Sequence, residues 1–167
     1  MKFDGTAIIS DDGLYRYHLT REWGDSGKSA LWIMLNPSTA DAQRNDSTVK
    51  KCIGFTSRLA GYKRMAIVNL FAFRTTFPHE LDKARDPVGR ENDSTIIKAA
   101  CKYDKVICAW GTHGDKFGRA AQVIELLRKA NVLPLCLGWT KDGFPRHPLM
   151  VAYSVSLIPF DLEKEAR

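Results

Sequence analysis

Four polar groups in this sequence stand where apolar runs stop: Asn36 in Asn36-Pro37-Ser38, Asn69 in Val68-Asn69-Leu70, the turn Gly111-Thr112-His113-Gly114, and His147 in Arg146-His147-Pro148. Proline biases the residue before it towards an extended conformation, which can hold the Asn36 side chain out from a strand end, towards a water or a substrate group. The structural alternative is an Asx-type turn that only caps the loop. Asn69 ends an apolar run with an amide. That group offers a donor and an acceptor together, the pattern needed to read a nucleobase edge, unless it satisfies nearby backbone instead. The turn at 111–114 can bring backbone N–H groups to a phosphate or a polar base, or be no more than a tight strand-to-helix turn. His147 can donate a hydrogen bond to developing negative charge, although a lone loop histidine is more often structural or merely exposed.

Other signals are weaker. Gly27-Lys28-Ser29 resembles the end of a phosphate-binding loop, but Glu22 stands where its first glycine belongs, and the Lys-Ser pair precedes a strand instead of opening a helix. The four cysteines, Cys52, Cys101, Cys108 and Cys136, form no C-x-x-C pair and have no histidine at ligand spacing. They read as reduced thiols, buried or partly buried, and neither a metal nor an organic cofactor is expected.

The elements that must carry these groups alternate in type. Residues 6–9, the turn Asp11-Asp12-Gly13 and residues 14–19 predict an N-terminal β-hairpin, its second strand alternating apolar and polar residues. Continuous apolar runs at 30–35, 65–70, 105–110 and 132–137 predict four buried strands. Helices are expected after Asp46 or Ser47 up to Gly61, after Asn92 or Asp93, and over 117–130. The segment 74–92 is irregular around Pro78 and Pro87, with a short helix expected near 79–84, and the tail is expected to be loop-like with a short strand at its end. Strands alternating with helices predict a three-layer α/β/α sandwich with a central, mostly parallel four-stranded sheet plus the hairpin, in a single domain over 1–167. Right-handed crossovers put all strand C-termini on one edge, where ligands of open α/β sheets bind. Asn36, Asn69, Gly111 and Gly138 all follow strands on that edge.

Composition bounds the rest. The chain has 167 residues, 44% hydrophobic and 26% charged, which is ordinary globular usage for one domain with a sizeable core. No apolar run approaches the length of a membrane span, and residues 1–12 lack a signal peptide's basic head and apolar core, so the expected compartment is the cytoplasm. The net charge of +6 permits a polyanionic partner without requiring one. No obligate protein partner is evident.

Longer motifs carry a resemblance. Met34-Leu35-Asn36-Pro37-Ser38-Thr39-Ala40-Asp41, Val68-Asn69-Leu70-Phe71-Ala72, Asp86-Pro87-Val88-Gly89, Glu91-Asn92-Asp93, Ala109-Trp110-Gly111 and Thr140-Lys141-Asp142-Gly143 through Arg146-His147-Pro148 look like those of the DUF1643 family of bacterial and phage proteins. A more distant similarity is to the uracil-DNA glycosylase superfamily. Its motifs are a strand ending in Asp-Pro or Asn-Pro, a base-reading Asn followed by a stretch ending in Arg, a Trp-Gly strand end and a final His-Pro. They are matched in order by Asn36-Pro37, Asn69 to Arg74, Trp110-Gly111 and His147-Pro148. The final motif departs at Leu149, where serine is usual, and the segment 74–92 belongs to DUF1643 and not to the glycosylases.

The resemblance implies a base flipped into a pocket and cleavage of its N-glycosidic bond. Asn36 would position the water, Asn69 would read the base and His147 would stabilise the departing anion, with Pro37, Ser38, Gly111 and His113 beside the substrate. Phe71 or Phe55 would stack on the base, Arg146 and Lys141 would hold phosphates, and Leu149 or Met150 would wedge into the base stack. Uracil and a modified base both fit as substrate. A non-catalytic nucleic-acid or nucleotide binder on the same fold, and an enzyme acting on free nucleotides or nucleosides, stand beside the glycosylase reading.

Overall fold

Side chains along the continuously buried central strands alternate in direction with a period of two, and the two sets of residues go to different cores. Leu31, Ile33, Ala66, Val68, Val106 and Cys108 face one core; Ala30, Trp32, Met34, Met65, Ile67 and Ile107 face the other. Both sets are apolar because both faces of the sheet are covered. In the computed structural model, which describes residues 3–163, these strands are β3 (Lys28–Met34), β4 (Tyr62–Asn69) and β5 (Lys105–Cys108). Helix α1 (Ser47–Ser57) packs on the second face through Val49, Cys52, Ile53 and Phe55. Helices α2 (Asn92–Ala100) and α3 (Arg119–Lys129) pack on the first through Ile96, Ala99, Val123, Ile124 and Leu127. The layers are therefore helix, sheet, helix.

The sheet is larger than the sequence pattern indicates. It has seven strands in the order β1-β2-β4-β3-β5-β6-β7, where β1 is Ala7–Ile9, β2 Arg16–Glu22, β6 Leu135–Cys136 and β7 Ile158–Pro159. The four expected central strands are mutually parallel. The N-terminal hairpin is not an appendage: β2 pairs antiparallel with β4, Leu19 opposite Ile67, and so extends the sheet. β2 also buries two arginines, Arg16 at 3% and Arg21 at 2% exposed; Arg16 stands at an outward-facing position of the alternation, Arg21 shares the parity of Tyr17 and Leu19, and both donate to residues 40–45, which lie over them. At the other end β7 pairs antiparallel with β6. Its Pro159 stands on the outer strand, where a missing N–H costs least.

Several boundaries shift for identifiable reasons. α3 begins at Arg119 because Phe117 and Gly118 have φ of +55° and +64°, which a right-handed helix does not accommodate. β6 is short because the Val132 N–H bonds back to Leu127 O at the end of α3, and Pro134 has no N–H to give to a ladder. α1 ends at Ser57, before Gly61. Cys101, just past α2, is exposed, whereas Cys52, Cys108 and Cys136 are buried.

Asp46 caps α1 as the sequence suggests, accepting from the Val49 N–H at 2.8 Å. Neither Asn92 nor Asp93 caps α2; Glu91 holds the cap position without a side-chain bond. Asn92 does something else. Fully buried, it donates through Nδ2 to Asn69 O at 3.0 Å and Leu70 O at 2.9 Å, where β4 leaves the sheet. Leu70 O also accepts from Arg119 Nε at 2.7 Å.

Removing a donor that serves buried carbonyls costs their desolvation as well as the bond, so Asn92→Ala is expected to lower stability by about 2–3 kcal/mol. Urea denaturation of the two proteins measures this, and a loss below about 0.5 kcal/mol would contradict the structural role given to the amide.

Candidate functional site

β3 and β4 finish level with one another, Met34 opposite Asn69, and β5 finishes beside β3, Ile33 opposite Cys108. The polar residues that follow therefore leave the sheet at one edge. A cleft of about 450 Å³ opens there. Of the residues singled out from the sequence, Asn36, Ser38, Asn69, Gly111, His113, His147 and Leu149 line it. Pro37, Phe71, Lys141 and Arg146 do not.

Asn36 is partly buried, and its amide nitrogen is engaged twice, donating to Thr75 O at 2.6 Å and to Pro37 O at 3.2 Å. This fixes the orientation of the amide and leaves Oδ1 as its remaining acceptor. The Thr75 N–H in turn bonds Pro37 O at 2.9 Å, and the Ser38 and Thr76 hydroxyls meet at 3.1 Å. The irregular segment 74–92 is thus tied to the loop after β3, and its Thr75, Thr76 and Pro78 form one wall of the cleft. The 3₁₀ turn Pro78–Lys83 is also joined to the opposite wall, since Lys116 in the stretch Thr112–Gly118 pairs with both oxygens of Asp82 at 2.8 and 2.9 Å.

Asn69 lies deeper, 1% exposed, with its Nδ2 buried and lacking any hydrogen-bond partner. Trp110 Nε1 and Arg16 Nε, in two further residues that line the cleft, are also buried without a partner. A buried donor left unpaired costs about 1–3 kcal/mol, so an acceptor, from water or from a ligand, is favoured at each of the three. Burial pushes the Arg16 guanidinium down to about 10, which leaves it charged at neutral pH; its Nη1 donates to Ala40 O at 2.8 Å.

His147 sits at the start of the 3₁₀ turn Pro148–Met150, and its Nδ1 accepts from the Leu149 N–H at 3.4 Å. The imidazole proton therefore belongs on Nε2, available as a donor. Burial lowers its pKa below the ordinary 6.5, against an opposing pull from the Asp46 carboxylate. Gly111 has φ +76°, and a β-carbon there would lie 3.4 Å from His147 Cβ, so the strand-end turn and the histidine loop approach closely. Gly114 permits a second close approach: a β-carbon on it would overlap the Trp110 ring.

Phe71 is fully buried, edge-on to Phe117 with centroids 6.1 Å apart, and Phe55 is buried against Trp32 and Tyr153. Neither ring borders the cleft. Lys141 is exposed and Arg146 partly buried on the loop after Gly138, where the Arg146 N–H bonds Gly138 O. Leu149, 44% exposed, lines the cleft, and Met150, 83% exposed, follows it outside the lining.

Residues that sequence reasoning passed over also line the cleft: Arg16, Asp46, Ser47 and Thr48. Asp46 was legible as a helix cap, but nothing local indicates that the N-terminus of α1 borders a site. Arg16 looked like an outward-facing polar position of a hairpin. Among the described residues no group of three His, Cys, Asp or Glu is placed to hold a metal ion, and no helix is long and apolar enough to cross a membrane.

A family model described as "Protein of unknown function (DUF1643)" matches residues 16–149, a span that contains every cleft-lining residue. No curated protein and no solved structure matches the chain.

The lowered pKa of His147 has a measurable consequence. Between 6.5 and the folded value, the unfolded chain binds a proton that the folded chain does not, so this group's effect is to reduce stability as pH falls through that window. An NMR titration of the imidazole is expected to give a midpoint below 6.5; a midpoint at or above 6.5 would contradict the buried setting described for the ring.

Proposed function

We propose that this chain, which belongs to the DUF1643 family, recognises a nucleobase in DNA and hydrolyses its N-glycosidic bond. The observation that carries the reading is the convergence of Asn36, Asn69 and His147, drawn from three distant parts of the chain, on one cleft at the C-terminal edge of the parallel strands.

Each group suits a step of that reaction. The base must leave its stack to be reached, and a cleft of about 450 Å³ has room for one. Asn69 meets the base edge with its unpartnered amide nitrogen, in reach of a carbonyl oxygen. Asn36 presents Oδ1, with its nitrogen tied down, to accept a hydrogen from the attacking water and hold it in line with the sugar. His147 Nε2–H faces the negative charge that collects on the departing base, and in a partly buried site a neutral N–H donor stabilises that charge through a hydrogen bond with no proton transferred. Leu149, exposed at the cleft, or Met150 beside it in the chain, occupies the gap the base leaves.

One observation favours the free-nucleotide reading: charged Arg16 and the N-terminus of α1 line the cleft, where they suit a phosphate inside it, while Lys141 and Arg146 stand away from it. Preference for a mononucleotide over an oligonucleotide would decide for that alternative.

The test is base release from single- and double-stranded oligonucleotides that carry uracil, hypoxanthine, 5-hydroxymethyluracil or other modified bases. An abasic product is expected from the native chain, with the rate lowered on the order of 10²-fold or more in Asn36→Ala and 10²–10³-fold in His147→Ala. Release that is unchanged in both variants would remove these residues from the chemistry. No release from any oligonucleotide, together with salt-sensitive binding indifferent to Asn36, would indicate a binder instead.

A further inference from the structure

Hydrolysis requires a proton acceptor for the attacking water, and the groups assigned so far do not provide one. Asn36 is a neutral amide, and its oxygen orients water but does not take its proton at ordinary pH. His147 engages Nδ1 with the Leu149 N–H and presents a protonated Nε2, which makes it a donor. Arg16 is a cation. Among the described residues that line the cleft, one bears a carboxylate: Asp46.

Asp46 is held in place by its own helix. It is the N-cap of α1 with extended backbone (φ −76°, ψ 177°), and its Oδ1 accepts from the Val49 N–H at 2.8 Å. That bond fixes the carboxylate plane and leaves Oδ2 as the second acceptor. The loop that delivers it, residues 40–46, is fastened from β2. Arg16 Nη1 holds Ala40 O at 2.8 Å; Arg21 holds Asp41 O at 2.6 Å, Arg44 O at 2.9 Å and the Asn45 side chain at 2.6 Å. The carboxylate is near enough to Arg16 and His147 to act on the charge of both. A helix cap needs one carboxylate oxygen and could equally be serine or threonine. Here the cap residue also borders the cleft that contains Asn36 and His147.

We propose, resting on the glycosidic-hydrolysis reading, that Asp46 is the general base of the site. The water oxygen bonds to C1′ of the sugar as the C1′–N bond breaks, and the bonding pair leaves with the base as an anion facing His147 Nε2–H. The water proton passes to the Asp46 carboxylate and is later returned to the released base or to solvent. Asn36 Oδ1 accepts the second hydrogen of the same water and sets its direction. The negative charge of Asp46 also lies on the side where the sugar becomes cation-like.

The variant Asp46→Asn isolates this role, since asparagine caps a helix about as well as aspartate and the fold is retained. With the oligonucleotide that the native chain cleaves fastest, base release by Asp46→Asn is expected to fall on the order of 10²–10⁴-fold, while affinity for the same sequence carrying a non-cleavable 2′-fluoroarabino nucleotide changes by less than about threefold. Asp46→Ser, which also keeps a cap, should lose activity to a similar extent, and melting temperatures close to native in both variants separate chemistry from folding. A release rate within about threefold of native in Asp46→Asn would overturn the proposal and leave the glycosidic reading standing. Absence of release by the native chain from every oligonucleotide would overturn that reading and this assignment with it.

Discussion

Backbone groups that lose their partners where a strand leaves a sheet must find new ones, and the site edge of this protein is organised around that requirement. β3 and β4 run one or two hydrogen bonds past their ends, Leu70 N–H to Met34 O and Phe71 N–H to Leu35 O, and then diverge. The carbonyls left over are taken up by side chains. Asn92 and Arg119 serve Asn69 and Leu70; Asn36 serves Pro37 and Thr75; Arg16 serves Ala40. Each bond ties an element from elsewhere in the chain to the strand ends: α2, α3, the segment 74–92 and β2.

These bonds explain why polar side chains are tolerated in so apolar an interior, and they separate an amide whose nitrogen is occupied from one whose nitrogen is spare. Asn92 and Asn69 are both buried asparagines within the same few residues of space. The Asn92 nitrogen is occupied by two carbonyls, whereas the Asn69 nitrogen has no partner among the described residues. The two arginines of β2 divide the same kind of labour over the loop before α1, Arg16 at its start and Arg21 along residues 41–45. A loop held at this many points keeps the N-terminus of α1 against the cleft without a strand to support it.

The strands and helices of the central layer were legible because burial on both faces leaves an unmistakable trace, continuous apolar runs closed by Asn, Gly or Pro. What was not legible depends on neighbours that no local pattern reveals. Arg16 alternates with apolar residues as an edge hairpin's outward position would, and the residues 40–45 that cover it and Arg21 come from a loop no local pattern brings there. Asn92 carries a helix-cap signature because an asparagine before a helical stripe usually caps it; here two orphaned carbonyls compete for the same amide. Phe71 follows Asn69 closely enough to suggest a stacking ring, but two residues beyond a strand end it turns back into the core against Phe117. The cleft-lining polar residues were found because they end strands, whereas Asp46 was recognised for its cap alone because the position of α1 relative to the strand ends is a tertiary fact.

The burial of Phe71 and Phe55 bears on how a ligand is held. A base flipped into a site commonly gains stacking energy from an aromatic face, about 1–3 kcal/mol per base. Of the aromatic residues that line this cleft, Trp110 is 1% exposed and offers its buried Nε1–H more than its face. On the proposed reading, recognition would then depend on hydrogen bonds and shape. The unpaired groups, Asn69 Nδ2, Trp110 Nε1 and Arg16 Nε, are all donors. On that reading, a base that satisfied them would be rich in acceptors, as the carbonyl edge of an oxidised or uracil-like pyrimidine is and as the amino edge of cytosine is not. Selectivity built on unpaired buried donors is steep, because an analogue lacking the matching oxygen leaves the penalty of each donor in place.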